Sequence, residues 1–213
     1  MLNTSKKRKA INNFYWLGQV YDNGVPVLYK RNYFYLLNQL VAYYKNLIDH
    51  IIYESGGKIQ LPMDATMLEN YLTGYNLNYV GFSGKEHGLN IEGFWGFDSL
   101  QENGINIFYN IDSNKKRQRF TKIHETFHFC QCLDTYFRSL FDYLKTESTL
   151  PEDVIHKLME KATDKATAMY LMPNDYFIKK YQEIKDIDEL SELFQVSAQS
   201  IYYRLKECNL ITN

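Results

Sequence analysis

Between Asn32 and Tyr53, apolar side chains recur at three- and four-residue steps. Tyr33, Phe34, Leu36, Leu37, Leu40, Val41, Tyr44, Leu47, Ile48, Ile51 and Ile52 make up the pattern. That spacing predicts a packing helix over 32–53. Asn32 is placed to cap its start, and Ser55-Gly56-Gly57 to end it. Ile59-Gln60-Leu61-Pro62 reads as a short extended piece, and Asp64 as the cap of a short helix over 65–72.

The period then changes. Residues 77–82, 91–97 and 104–111 alternate or run apolar between turns that contain Gly and Asn. They predict three strands in an antiparallel meander. From Ser113 onward the pattern is helical again. One helix is expected over 114–145. A second has Pro151 at its first position and ends near Met172, because Pro173 disfavours helix in the residue before it. Three shorter helices follow, over 175–183, 187–194 and 198–207. The expected fold is α+β: a small antiparallel three-stranded sheet packed on helices, with an N-terminal helix and a C-terminal helix-turn-helix appendage. The expected division is a tail and packing helix (1–58), a core (59–173) and a helical C-terminal segment (174–213).

Composition narrows this picture. The 213 residues suit one domain with an appendage or two small ones. Aromatics reach 16% with 19 tyrosines, and 45% of residues are hydrophobic, which fits a globular chain with a real core. The net charge of -1 provides no global field for nucleic acid or an anionic membrane. The run Lys6-Lys7-Arg8-Lys9 reads as a solvated terminus. Three cysteines without a C-x-x-C argue against a disulfide framework and fit a reducing compartment. No apolar run suits a signal peptide or a membrane span, so the expectation is a cytoplasmic protein.

The chemistry enters at His124-Glu125-Thr126-Phe127-His128, an H-E-x-x-H match. On a helix, positions four apart lie about 40° apart around the axis, so both imidazoles face one way, one turn apart. That spacing suits two ligands of one zinc ion. Glu125 lies one step round, able to act as general base on a water activated by the ion. Chance would produce such a motif in on the order of one per cent of chains like this, so a third ligand matters. The next helix carries His156, Glu160 and Asp164 on one stripe, with Glu160 the candidate third ligand and His156 its competitor. Ala162, Ala166 and Ala168 on the same helix suit close helix packing. Cys132, one turn beyond His128, reads as a buried, inert thiol rather than a ligand.

Arg117-Gln118-Arg119-Phe120-Thr121-Lys122-Ile123-His124-Glu125 resembles the R-x-R-F-T-x-x-H-E segment of the ImmA/IrrE family of metallopeptidases. Glu160-Lys161-Ala162-Thr163-Asp164, with Tyr170-Leu171-Met172-Pro173, is similar to that family's E-x-x-A-D and L-L-M-P run. The strand ending at Asn110 is similar as well, and the likeness covers about residues 59–210. The resemblance implies a zincin-type core, with a catalytic zinc ion (manganese as an alternative) held by His124, His128 and Glu160. It implies Glu125 as the catalytic residue and Asp164 as the acid that orients a ligand histidine. Phe127 stands where the family usually has Gly.

The resemblance further implies a protein substrate, a repressor of phage or mobile-element type with its own helix-turn-helix, whose cleavage relieves repression. Gly93-Phe94-Trp95-Gly96 could serve as the sheet edge onto which an extended substrate pairs. The competing expectation is a catalytically silent zincin-like regulator or antirepressor that acts by binding. The last helix has only Arg204 and Lys206 to offer phosphates, with Glu207 beside them, which argues against direct DNA contact.

Overall fold

The apolar positions of the first predicted helix are buried or half-buried, except Phe34, which is 54% exposed. In the computed structural model, which describes residues 21–22, 25–26, 28–146 and 151–211, α1 spans Leu28–Glu54. A two-residue antiparallel pair, β1 (Tyr21–Asp22) and β2 (Val25–Pro26), precedes it. The basic run Lys6–Lys9 lies outside the described residues. Leu36, Leu37, Leu40, Tyr44, Ile48 and Ile51 face the core. α1 starts four residues before Asn32, so Asn32 lies inside the helix rather than at its cap. The expected stop holds: Gly56 and Gly57 adopt positive φ, and Gly57 N–H donates to Ile52 O at 2.9 Å. The short helix α2 spans Thr66–Tyr71, with Asp64 accepting from Thr66 N–H at 2.9 Å.

The three strands are β3 (Asn76–Phe82), β4 (Gly93–Phe97) and β5 (Gly104–Asn110). Their order is β3-β5-β4, with β5 parallel to β3 and antiparallel to β4. The sheet is therefore mixed, and the antiparallel meander is corrected. β5 has the most buried inner face, with Ile105 and Ile107 at 0% exposure. A central place covers that face best. A short helix the sequence pattern did not reveal, α3 (Gly84–His87), turns the chain back after β3. β4 then occupies the far edge, and a hairpin returns the chain to the centre.

α4 (Lys115–Leu133) packs on the inner face of the sheet, where Ile105, Ile107 and Trp95 meet Phe129 and Cys130. The single helix expected over 114–145 is broken at Asp134. That residue is extended (φ -80°, ψ 117°), and its side chain accepts from Phe137 N–H at 3.2 Å to open α5 (Thr135–Thr146). A short acidic side chain that caps the next turn outcompetes continuation of the helix. α6 (Glu152–Leu171) starts just after Pro151 and stops before Met172-Pro173. It packs on both α1 and α4, and Ala162 and Ala166 are fully buried there.

The C-terminal helices are α7 (Asn174–Ile184), α8 (Ile187–Phe194) and α9 (Ala198–Glu207). Asp186 caps α8 by accepting from Glu189 N–H, and Ser197 caps α9 by accepting from Ser200 N–H. Phe177, Phe194, Ile201 and Leu205 join the same buried cluster as Tyr44, Phe127 and Leu158. Arg119 on α4 donates to Phe194 O at 2.7 Å and Gln195 O at 3.0 Å, tying the carbonyl end of α8 to the motif helix. Arg204 is 4% exposed and donates to Met172 O and to Asn174. One of the two cations that α9 could offer to DNA is thus committed to packing. No helix among the described residues is long and apolar enough to cross a membrane.

Candidate metal centre

α4 presents His124 and His128 one turn apart, and α6 presents Glu160 to both. His124 Nε2 lies 2.9 Å from His128 Nε2. Glu160 Oε2 lies 3.2 Å from His124 Nε2, and Oε1 lies 3.1 Å from His128 Nε2. These three residues form a candidate metal-binding group whose ligand atoms all lie within 4.8 Å of one another. His156, the competing ligand, is 3.8 Å from Glu152 instead and is not in the group. Cys132 also stands outside it, and is exposed rather than buried as expected.

Proton positions follow from the surrounding bonds. Thr163 Oγ1 donates to Met159 O at 3.0 Å, so it can only accept from Gln131 Nε2, which is 2.7 Å away. That fixes the Gln131 amide, with Nε2 also donating to the Tyr44 hydroxyl. Gln131 Oε1 then faces His128 Nδ1 at 3.2 Å and accepts its proton. The lone pair of His128 is left on Nε2. On His124, Asp164 Oδ1 lies 3.1 Å from Nδ1, close enough for an ion pair though off the line of an ideal hydrogen bond. Its Nε2 likewise points to Glu160.

Two imidazole lone pairs and a carboxylate therefore face one another with no donor among them. Such a set repels itself unless a cation lies between. Tetrahedral ligands at zinc–nitrogen distances of 2.0–2.1 Å stand about 3.3 Å apart, close to the spacings found. The donor set fits a divalent ion. A proton is the alternative cation. Burial disfavours a charged His124, but Asp164 and Glu160 outweigh it and raise the ring to about 9. In that protonated, ion-free state, hydrogen bonds from His124 and His128 hold Glu160 well below the usual carboxylate range.

Glu125 is half-buried beside the group. Burial raises its carboxyl, while the two histidines pull it down. The first residue of β4 lies against it. A Cβ at Gly93 would stand 3.2 Å from Glu125 Cγ, 2.4 Å from Thr121 Cγ2 and 2.6 Å from Phe108 O. Only glycine lets the strand approach the motif helix this closely. Among the described residues β4 is an edge strand, paired on one side only. Trp95 packs inward, 5.4 Å from Phe129, whereas Phe94 lies on the outer face, stacked on Phe108 at 4.4 Å.

Phe127 is explained by direction. It points away from the ligands into the core, edge-on to Tyr44 at 5.6 Å and Tyr170 at 5.8 Å. The residues that sequence reasoning missed are Gln131, Tyr44 and Thr163. The available signal was a glutamine three positions after the second histidine, on the same helix face.

This arrangement on an α+β scaffold is of metallopeptidase type. The chain belongs to the IrrE N-terminal-like domain family, peptidase M78, whose model matches residues 95–206. That stretch holds the motif helix, β5 and Glu160. No curated protein matches the chain. Among solved structures it is similar to a Mycobacterium tuberculosis transcriptional regulator, with a TM-score of 0.56 and 15% identity, over 83% of this chain and 50% of that one. At that identity the likeness shows a shared fold alone. This chain spans half the length of that regulator.

Proposed function

We propose that this protein is a zinc-dependent endopeptidase that cleaves a regulatory protein, a helix-turn-helix repressor of phage or mobile-element type, and so relieves repression. The observation that carries this reading is the convergence of His124, His128 and Glu160 beside Glu125, under the free edge of β4. Family membership supports the metallopeptidase chemistry.

His124, His128 and Glu160 would hold the zinc ion, which when bound would supply Lewis-acid polarisation of a scissile carbonyl and of a water. The chain's own residues do the rest. The exposed edge at Gly93, Phe94, Trp95 and Gly96 offers main-chain groups to an extended substrate. Glu125 takes a proton from the attacking water and delivers it to the departing amine nitrogen. Asp164 and Gln131 hold the ligand rings with Nε2 toward the ion.

The test mixes the zinc-loaded protein with a candidate helix-turn-helix repressor, sought first among the genes beside its own, and maps new chain ends by mass spectrometry. Cleavage by the wild type and none by Glu125→Gln is the expected result. Binding of the intact repressor without cleavage by either protein would favour the silent regulator instead.

A further inference from the structure

A groove of about 1210 Å³ opens beside the metal centre, between the start of α4, the outer face of α6 and α9. It does not contain His124, Glu125 or Glu160 and meets the site only at Asp164 and Phe120, whose ring lies 6.1 Å from that of His124. Glu92, the residue just before β4, lines it as well. The groove therefore continues from the metal centre and from one end of the proposed substrate edge.

Its lining is strongly basic although the chain is not. Seven cations face it, against the three carboxylates Glu92, Asp164 and Glu207. Four of the cations are already paired: Lys116 with Glu192, Arg117 with Glu92, and Lys165 and Arg204 with Glu207. Lys115, Lys161 and Lys206 have no carboxylate within ion-pair distance among the described residues. They come from three different helices. Two helix N-termini, capped by Asn114 and Ser197, open on the same space and add positive potential.

Resting on the peptidase reading, we propose that this groove binds an acidic segment of the protein substrate, on one side of the scissile bond. Three features select that occupant. The volume exceeds the usual 300–1,000 Å³ of small-ligand pockets, so a chain segment suits it better than a small anion. The groove runs into the metal centre, as a flank of a cleaved chain must. The three carboxylates that interrupt its basic lining oppose a continuous phosphodiester backbone, whereas spaced acidic side chains can avoid them.

The experiment separates this claim from catalysis by measuring binding to zinc-loaded Glu125→Gln protein. The probes are a fluorescein-labelled peptide bearing consecutive glutamates, its all-glutamine counterpart and a short DNA duplex. The glutamate peptide should bind about tenfold tighter than the glutamine peptide at low salt, as three exposed ion pairs would give. The preference should shrink at about 0.5 M salt. Lys115→Glu, Lys161→Glu and Lys206→Glu together should erase it, with metal content and melting temperature unchanged. Single lysine-to-glutamine variants, each with a partial loss, guard against misfolding of the triple variant. Equal affinity for the two peptides, indifference to the lysine changes, or tighter binding of the duplex would each overturn the proposal. If the preference holds while the wild type cleaves nothing, the groove stands and the peptidase reading falls.

Discussion

His128 Nδ1 donates to Gln131 Oε1 at 3.2 Å, and that bond sets the tautomer of a candidate ligand histidine. The amide is in turn held by Tyr44 from α1 and Thr163 from α6. The N-terminal helix thus reaches the site through two side chains. Gln131→Ala should weaken zinc binding by about 10–100-fold, measured by competition with a chromogenic chelator. It should also lower stability by about 1–3 kcal/mol, because Tyr44 and Thr163 lose a buried donor. Unchanged zinc affinity would leave Gln131 with a packing role only.

Glu125 and His128 should separate in their effects. Glu125→Gln keeps the three ligand side chains and should bind zinc normally while hydrolysis falls by about 10²–10⁴-fold, the usual contribution of a positioned base. His128→Ala should lose both metal and activity. Paired zinc titrations and cleavage assays distinguish the two.

Two glycines of one strand make opposite predictions. At Gly93 an added methyl would meet Thr121 Cγ2 at 2.4 Å and the Phe108 carbonyl at 2.6 Å. Gly93→Ala should cost about 1–3 kcal/mol by overpacking and move β4 away from Glu125. At Gly96 nothing lies within 4 Å of the added methyl. Gly96→Ala should stay within about 0.5 kcal/mol of the wild type. Chemical denaturation of both variants provides the comparison.

The metal-free protein should carry a distinctive pH dependence. His124 is raised from 6.5 to about 9, so its stabilising contribution is fully present below 6.5 and is lost as pH rises through about 9. Glu160 is depressed from 4.5, so its contribution is present above 4.5 and is lost as pH falls through its lowered value. The melting temperature of chelator-treated protein should therefore be highest between 4.5 and 6.5 and decline toward pH 9. Saturating zinc should remove the alkaline decline, because an ion then replaces the proton between the rings.

Local signals carried most of the helical architecture. The stripe from Tyr33 to Ile51, the Pro151 and Pro173 boundaries and the Ser197 cap each act within a few residues, and each matches an element of the structure. Strand order was not legible, because β3 and β5 pair across the intervening α3 and β4, and periodicity holds no information on partners. The break at Asp134 was hidden because α4 and α5 both continue the apolar pattern. The same divide appears in the site. His124, Glu125 and His128 share one helix and could be read from spacing. The Gln131–Tyr44–Thr163 relay joins three helices whose packing fixes it, and only the fold brings those residues together.

One ion held by His124, His128 and Glu160 is the centre of the proposed chemistry. Elemental analysis of the full chain, purified without chelator, tests it most directly. The predicted result is one zinc or manganese ion per chain, falling to near zero in His128→Ala and in Glu160→Ala. A wild-type protein that holds no stoichiometric metal and takes up none on titration would contradict it.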